Sequence, residues 1–238
     1  VVRTTTPTTV YKKQKLDRDD VIDITDFDVV AWLKTEMRWM LDEEIARAAL
    51  IGDGRLASDD DKISETNIRP IYKDDALYSV KVPVAVAANA TDDDKAKAFI
   101  KASIKARKNY KGSGNPILFT TEDMLTNMLL LTDEMGRDLY ESEAKLATKL
   151  RVSQIVTVEV MENVSRTVGE GQSAKDYDLA GIIVNPVDYN FGADKGGAVN
   201  MFDDFDIDYN QQKYLIETRC SGALVKPYSA LVVEFTEA

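Results

Sequence analysis

The chain contains no histidine among its 238 residues. Histidine is the commonest metal ligand and the side chain best suited to proton transfer near neutral pH. Its absence excludes a Ser-His-Asp triad, a Cys-His pair and any zinc site that uses imidazole. The histidine-based catalytic and zinc-binding sites of many hydrolytic enzymes are therefore excluded.

Cysteine is almost absent as well. Cys220 is the single cysteine, so an internal disulfide framework is excluded and the composition suits a reducing compartment. The chain lacks an apolar run of about 18 residues, which argues against a membrane span, and it shows no signal peptide. Because it begins at Val1 rather than at methionine, we expect a processed product or a fragment.

Positive charge is scarce relative to negative charge. The formal net charge of −11 argues against a surface that binds nucleic acid over most of its area, because the summed field repels phosphates. Hydrophobic residues make up 44% of the chain, which is typical of a globular protein and not of a disordered one. The length predicts one or two domains with a sizeable core.

A long helix is predicted over residues 26–51. Thr25 and Asp28 resemble a capping box at its start. Gly52 and Gly54 end it, because glycine takes the left-handed conformation at little cost. Apolar residues recur at steps of three and four along one stripe: Val29, Trp32, Leu33, Met37, Met40, Leu41, Ile45, Ala48 and Ala49. Such a helix is typical of an architectural spine, and three heptads are too few to favour a coiled coil.

Shorter elements fill the rest of the chain. Helices are predicted over residues 92–110, 120–136 and 142–150, and strands over residues 4–15, 76–88, 116–119, 155–160, 179–184, 199–207, 213–225 and 228–235. Pro83 predicts an edge position for its strand. Residues 165–178 are expected to form a polar loop, and strand 4–15 has no obvious partner nearby. Helices followed by antiparallel strands indicate an α+β fold.

Three blocks of sequence, taken in order, resemble one protein family. The first is the long helix ending in Leu50-Ile51-Gly52-Asp53-Gly54, the second is Ile182-Ile183-Val184-Asn185-Pro186-Val187-Asp188, and the third is residues 201–234, which contain Lys226-Pro227-Tyr228-Ser229-Ala230. They resemble the major capsid protein of tailed bacteriophages, with the Hong Kong-phage-type capsid fold that encapsulin shells share. The resemblance covers nearly all of the chain and depends on the order and spacing of the blocks.

The resemblance implies an α+β fold with a long spine helix, an inserted α/β axial domain and a closing antiparallel sheet. Residues 1–15 would be the remnant strand of an extended loop. Residues 16–58 and 199–238 would form a peripheral domain with the spine helix at 26–51, and residues 59–198 the axial domain. The N-terminal arm and most of the extended loop of the family are absent, so we hypothesise that the chain folds without assembling by itself.

The implied function is that of a structural subunit of an icosahedral phage or prophage capsid. Copies would self-assemble as pentamers and hexamers around packaged DNA, which they enclose without specific binding, and no membrane is involved. Scaffolding, portal and decoration proteins are further candidate partners. The resemblance implies no enzyme activity, no cofactor, and no catalytic, cofactor-binding or metal-binding residue. It implies a virion location, with the bacterial host cytoplasm as the place of assembly.

Two alternative functions stay open. An encapsulin-type nanocompartment shell would have the same fold and would need a pocket for cargo. A small-molecule-binding α+β domain would need a convergent pocket of ionisable groups, which the sequence does not assemble. The family's inter-subunit cross-link is not predicted either, because the approximate asparagine position in the closing sheet is occupied by Gln211-Gln212.

Two charged segments suggest ligands. Asp203, Asp204, Asp206 and Asp208 suggest a calcium or magnesium site, but they lack the glycine and distal glutamate of an EF-hand loop, so a solvated strand face is favoured. The basic segment Lys101–Lys111 suggests nucleic-acid contact. Tyr110 is its single aromatic residue, which favours an exposed helix end instead.

Other patterns favour structural roles. Gly169–Lys175 hints at a phosphate loop but lacks its spacing, so a surface loop is favoured. The glycosylation sequons at Asn89 and Asn163 are interpreted as chance matches.

Three further side chains are predicted to be packing residues. Cys220 lies among apolar neighbours, which predicts a buried structural thiol. Trp32 and Trp39 are predicted to be packing residues, with Trp39 also a candidate for contact with a neighbouring subunit.

Overall fold

A computed structural model of the chain describes residues 3–23, 28–170, 174–193 and 197–237. The chain divides into two compact units: the first unit contains Val1–Pro70 and Asn190–Ala223, and the second unit contains Ile71–Tyr189 and Leu224–Ala238. The described helices are α1 (Arg18–Asp23), α2 (Val29–Leu50), α3 (Asp92–Ala106), α4 (Glu122–Leu129) and α5 (Glu143–Leu150). The described strands are β1 (Thr8–Asp17), β2 (Ser79–Val86), β3 (Ile117–Thr120), β4 (Ile155–Thr157), β5 (Ser165–Val168), β6 (Lys175–Val184), β7 (Tyr189–Ala193), β8 (Val199–Asp206), β9 (Gln211–Leu224) and β10 (Ala230–Glu237).

Helix α2 confirms the predicted spine, with a different start. Its N-cap is Asp28, whose carboxylate accepts a hydrogen bond from the Ala31 amide at 3.0 Å. The capping role predicted for Thr25 lies outside the described residues. At the other end the helix stops at Leu50, and Gly52 and Gly54 have φ angles of 102° and 73°. Only glycine adopts such angles without strain, which confirms the predicted stop.

Most of the predicted apolar stripe of α2 is buried: Val29, Leu33, Met37, Leu41, Ala48 and Ala49. Three predicted members are not, of which Ile45 is half-buried. Trp32 is 54% exposed and Met40 is 39% exposed. The three- and four-residue steps place a side chain near the stripe but do not fix how wide the covering surface is, so the residues at its margins stay in solvent.

The sheet of the first unit pairs the N-terminal strand with a strand late in the chain. Strand β1 runs antiparallel to β9, from Thr8 opposite Cys220 to Asp17 opposite Gln211. Strand β8 pairs with β9 on its other side, and β7 also pairs with β9. The strand predicted near the N-terminus therefore has a partner, which lies far along the chain and could not be read from local pattern.

The second unit is built on a mixed sheet in the order β2-β10-β6-β3-β4, with β5 also paired to β6. Strand β2 lies at its edge, as Pro83 predicted. The core lies between one face of this sheet and helices α3, α4 and α5, and includes Phe99, Leu118, Met128, Leu146, Leu150, Ile183, Leu231 and Val233. Helices beside sheets in both units confirm the α+β class.

The C-terminal strand departs from the predicted domain boundaries. Residues 199–238 were assigned to one domain, whereas β10 lies between β2 and β6 in the sheet of the second unit. The reason is burial, because Ala230, Leu231, Val232 and Val233 are all fully buried. A strand that is apolar on both faces favours a central sheet position. The naming of the units as peripheral and axial domains stays a prediction.

Three local expectations differ from the structure. The helix predicted to reach residue 136 ends at Leu129, and Asp133 then accepts the amides of Met135 and Arg137 at 2.8 and 3.0 Å in a tight turn. The expected polar loop 165–178 contains the hairpin of β5 and β6. The strand predicted over 155–160 stops at Thr157 and is followed by a 3-10 turn. Within the described ranges, no helix is long and apolar enough to cross a membrane.

Candidate functional site

The turn that ends α2 is organised by one buried carboxylate. Asp53, which is 4% exposed, accepts hydrogen bonds from the Ile63 amide at 2.7 Å, from the Lys62 ammonium at 3.1 Å and from the Arg55 amide at 3.2 Å. Gly54 next to it has a φ of 73°, which residues with a side chain rarely adopt, so this turn favours glycine. Asp53 therefore fastens the following loop to the end of the helix.

These donors stabilise the ionised form of Asp53. Burial raises the pKa of its carboxyl, but the Ile63 amide, the Lys62 ammonium and the Arg55 amide together lower that pKa below its usual value. Burial likewise lowers the pKa of Lys62, and Asp53 and Glu65 raise it above its usual value. Asp53 and Lys62 therefore form a structural ion pair, because each charge stabilises the charged form of the other residue.

A second buried ion pair lies in the second unit. Glu234 of β10 is fully buried, and its two oxygens accept from the Arg166 guanidinium of β5 at 2.7 and 2.8 Å. This is the bidentate geometry that gives the strongest carboxylate pairing. The Tyr177 ring lies 5.1 Å from the same guanidinium. The sheet register shifts beside this pair, between Val233 and Glu234.

Lys81 lies near this pair and has an unusual protonation equilibrium. Burial lowers the pKa of Lys81 to about 8, against the opposing effect of the Glu234 charge. Its ammonium donates to the Tyr72 carbonyl and lies 3.4 Å from the Ser79 hydroxyl. A lysine with a lowered pKa is a candidate nucleophile. Here the Lys81 ammonium holds the segment around Tyr72 against the sheet by donating to the Tyr72 carbonyl, so its role is structural.

The Asn185-Pro186 element of the sequence also has a structural role. The Asp188 carboxylate accepts from the Ser113 amide and hydroxyl, each at 2.6 Å, and the Asn185 amide group donates to the Ser113 carbonyl at 2.7 Å. Asn185 also caps the 3-10 turn by accepting from the Val187 amide at 3.1 Å. Together these bonds attach the loop around Ser113 to the end of β6.

The acidic segment at Asp203–Asp208 belongs to a hairpin. Asp206 forms an ion pair with Lys213 on the adjacent strand β9. The next residues, from Ile207 to Asn210, form the turn. No group of three or more potential metal ligands lies together among the described residues. The solvated-face interpretation fits these observations, because the aspartates of this segment are largely exposed.

The candidate phosphate loop has the wrong surroundings. Gly169 and Lys175 flank a hairpin between β5 and β6, and a strand rather than a helix follows. A phosphate loop needs a helix N-terminus behind it, because the helix amides and dipole bind the anion. Residues 171–173 of this segment lie outside the described residues. The sequons at Asn89 and Asn163 remain untested.

The structure confirms that Cys220 is a buried thiol, as predicted. It is 6% exposed, and burial raises the pKa of its sulfhydryl group. Since the thiolate is the reactive form, Cys220 should be a poor nucleophile in the folded chain.

We expect Cys220 to react with a thiol reagent at pH 8 about 100-fold more slowly in the folded chain than in urea, the factor that about 2.7 kcal/mol of opening free energy supplies. The measurement is the rate of absorbance change with a chromogenic disulfide. A Cys220→Ser, Val187→Cys variant is the control, since Val187 is 74% exposed. Equal rates for Cys220 and the control cysteine would contradict the burial of the thiol.

Neither tryptophan of α2 is buried within this chain. Trp32 is 54% exposed and Trp39 is 72% exposed, and their seven-residue spacing places them on one side of the helix. Within the chain the packing prediction is wrong for Trp39, whereas Trp32 is about half covered and keeps contacts of its own. A lone exposed apolar side chain needs no explanation, but two tryptophans on one helix side are typical of a surface that a partner covers.

Solved capsid structures match nearly the whole chain. The capsid of an empty GTA particle matches with a TM-score of 0.59 and 15% identity, over 98% of this chain and 72% of that one. The capsid of Myoviridae phage XM1 matches with a TM-score of 0.60 and 9% identity, over 98% and 74% of the two chains. The chain has the tailed-phage capsid fold. No protein-family model and no curated protein matches it.

The same capsid fold is found in a virus-like particle from Pyrococcus furiosus, with a TM-score of 0.58 and 12% identity over 95% of this chain and 76% of that one. Three features of this chain were not predicted from its sequence. They are the Glu234–Arg166 pair, the Lys81 amine and the exposed side of α2. The pair joins residues 68 positions apart, and the environment of Lys81 depends on the distant Glu234, so local pattern carries no signal for either. A solvent-exposed tryptophan likewise has the same local pattern as a buried one.

Proposed function

We propose that this chain is a structural subunit of an icosahedral phage or prophage capsid, which self-assembles as pentamers and hexamers around packaged DNA. The observation that carries the proposal is the likeness of nearly the whole chain to capsid structures. By this proposal the first unit is the peripheral domain and the second unit, now including β10, is the axial domain. The protein would lie in the virion, after assembly in the host cytoplasm.

Exposed apolar side chains support self-association. Trp32, Trp39, Met135, Val187, Ile207 and Tyr209 are each more than half exposed. Large apolar side chains left in water favour burial against another surface, because their transfer from water is favourable by about 25 cal/mol per Å². An assembling subunit requires several such surfaces, since each copy contacts several neighbours.

The charge of the chain suits the enclosure of DNA without specific binding. A net charge of −11 repels phosphates, so packaged DNA would not adhere to the shell. A surface-charge map of assembled particles with a strongly basic inner face would contradict this part of the proposal. Scaffolding, portal and decoration proteins remain candidate partners suggested by the family alone.

A non-enzymatic role is part of the proposal. The buried ionisable groups described above each hold a loop or strand in place: Asp53, Asp188, Arg166, Glu234 and Lys81. Groups used in this way are not free to exchange protons with a substrate. An encapsulin-type shell is the second candidate, favoured by the likeness to the Pyrococcus furiosus particle.

The test is negative-stain electron microscopy of the complete translation product of the gene beside the 238-residue chain. We expect closed icosahedral particles from the complete product, and monomers or loose rings from the chain. DNA inside the particles would favour the capsid, and enclosed enzymes would favour the encapsulin-type shell. Small particles from both polypeptides, at every concentration and salt, would overturn the proposed function.

A further inference from the structure

A lysine-rimmed apolar groove lies on the second unit. Its floor is formed by Ile100, Ile104, Leu131, Leu139 and Tyr140, and its rim by Lys97, Lys101, Lys105 and Lys149. We call this set the basic groove. Its volume is about 380 Å³. Three of the lysines recur at four-residue steps along α3, so they lie on one side of that helix.

The basic groove has no counter-charge of its own. None of its four lysines forms an ion pair with another of the described residues. Four like charges around an apolar floor repel one another, at a cost that an acidic partner would remove. The chain as a whole carries −11, so this cluster is an exception in its charge pattern. The apolar floor disfavours a bare phosphate and favours a ligand with both carboxylates and apolar side chains.

The first unit presents such a ligand at the turn between β8 and β9. We call Asp203–Tyr209 the acidic tip. Ile207 is 85% exposed and Tyr209 is 70% exposed. Asp203, Asp204 and Asp208 form no ion pair among the described residues, whereas Asp206 is paired with Lys213. The tip therefore combines exposed apolar side chains with three carboxylates that form no close ion pair among the described residues, although Lys213 lies opposite Asp204 on β9.

The two surfaces have matching dimensions. Lysines at four-residue steps on a helix are about 6 Å apart along its axis. Alternate residues of a strand are about 6.6 to 6.8 Å apart, which is close to this spacing. The end of the hairpin laid along α3 would place Asp204 and Asp208, rather than the paired Asp206, near these lysines. The turn residue Ile207 would then reach the apolar floor.

We propose that the acidic tip of one copy docks in the basic groove of a second copy. The contact is heterologous, because different surfaces of the two copies meet. Heterologous contacts produce closed rings when the rotation between copies closes, which pentamers and hexamers require. This inference rests on the proposed function, since it names one contact of the proposed shell. Ile207 would be its apolar anchor, and Lys101 and Lys105 its principal cations.

Disulfide trapping between two different chains tests the contact directly. One chain carries Cys220→Ser and Ile207→Cys, and the other, with a size tag, carries Cys220→Ser and Leu139→Cys. Leu139 is 48% exposed. After mild oxidation of the mixture at low salt we expect the mixed dimer to form at least 10-fold faster than with a control that carries Val187→Cys in place of Leu139→Cys. Because the cysteines are on different chains, a mixed dimer reports an intermolecular contact.

Charge reversal provides the matched variants. We expect Lys101→Glu with Lys105→Glu in the groove chain to reduce the mixed dimer to the control rate, and Asp204→Lys with Asp208→Lys in the tip chain to do the same. Combining the two reversed chains should restore the fast rate, which also shows that both are folded. Lys175→Glu, an exposed lysine elsewhere on the second unit, should change nothing.

The outcomes separate this contact from the function as a whole. Mixed dimers at the control rate, or reversed chains that do not rescue each other, would overturn the docking of the tip in the groove. If closed particles still form from the complete gene product, the capsid function stands and another contact holds the shell. Absence of particles would instead overturn the function.

Discussion

Replacement of Arg166 by methionine is expected to destabilise the second unit by about 3–5 kcal/mol. Glu234 is fully buried, and both of its oxygens accept from Arg166. The substitution leaves a carboxylate inside the protein without its bidentate partner, and removal of one partner of a buried ion pair costs far more than the pair itself contributes. The Lys81 charge lies near Glu234 and offsets part of this cost, but its ammonium donates to the Tyr72 carbonyl and not to the carboxylate.

Urea unfolding followed by circular dichroism measures this effect. The double variant Arg166→Met, Glu234→Leu is expected to be more stable than Arg166→Met alone, because the buried carboxylate is removed together with its partner. The Arg38→Ala variant is the control, since Arg38 pairs with Asp42 at 2.9 Å but the two side chains are 48% and 56% exposed. That control should lose only about 0.3–0.5 kcal/mol. A single variant as stable as the original chain would show that Glu234 does not depend on Arg166.

Elements with local signals were predictable from the sequence. Helix α2 was predicted because its interior lacks glycine and proline and its end has Gly52 and Gly54, whose positive φ angles the structure confirms. Helix α3 was predicted from Thr91 and Asp94, which form the observed capping box. Both signals depend on residues within one or two turns, so a sequence carries them without reference to the rest of the fold.

Long-range features were not predictable in the same way. The pairing of β1 with β9 and the central place of β10 depend on contacts between residues far apart in the chain. An alternating or apolar run predicts a strand but does not identify its neighbour. For the same reason the C-terminal strand was assigned to the wrong unit. The order of three weak blocks identified the capsid fold where single motifs could not.

The exposed side of α2 and the basic groove were also not predictable from local sequence patterns. Trp32 was predicted on the apolar stripe and Trp39 was predicted to pack, yet both are exposed. An apolar side chain on the outside of the chain adds to the same apolar pattern as a core residue, so the pattern overestimates the core. The basic groove combines residues from α3, α5 and the segment between α4 and α5, and its lysines alone resemble an ordinary helix end.

Replacement of Asp53 by alanine is expected to destabilise the first unit by about 2–4 kcal/mol, because three donors lose their acceptor and the Ile63 amide is left buried. In the original chain the Asp53 carboxylate accepts hydrogen bonds from the Ile63 amide, the Lys62 ammonium and the Arg55 amide. Asp53→Asn retains one acceptor oxygen and should lose less. Asp60→Ala, in the same loop but exposed, should stay within about 0.5 kcal/mol of the original chain. Urea unfolding and the hydrogen exchange of the Ile63 amide measure the effect.

The pH dependence of this loss follows from the lowered pKa of Asp53. A carboxyl whose pKa is lower in the folded state binds fewer protons there, so its stabilisation is complete above the unfolded pKa of about 3.9 and is lost as the pH falls through the folded value. The stability difference between the original chain and Asp53→Ala should therefore be constant from pH 8 to about pH 5 and shrink below about pH 4. A difference that stays constant down to pH 2 would show that the charge of Asp53 contributes nothing, and that its hydrogen bonds would be equally strong from a neutral carboxyl.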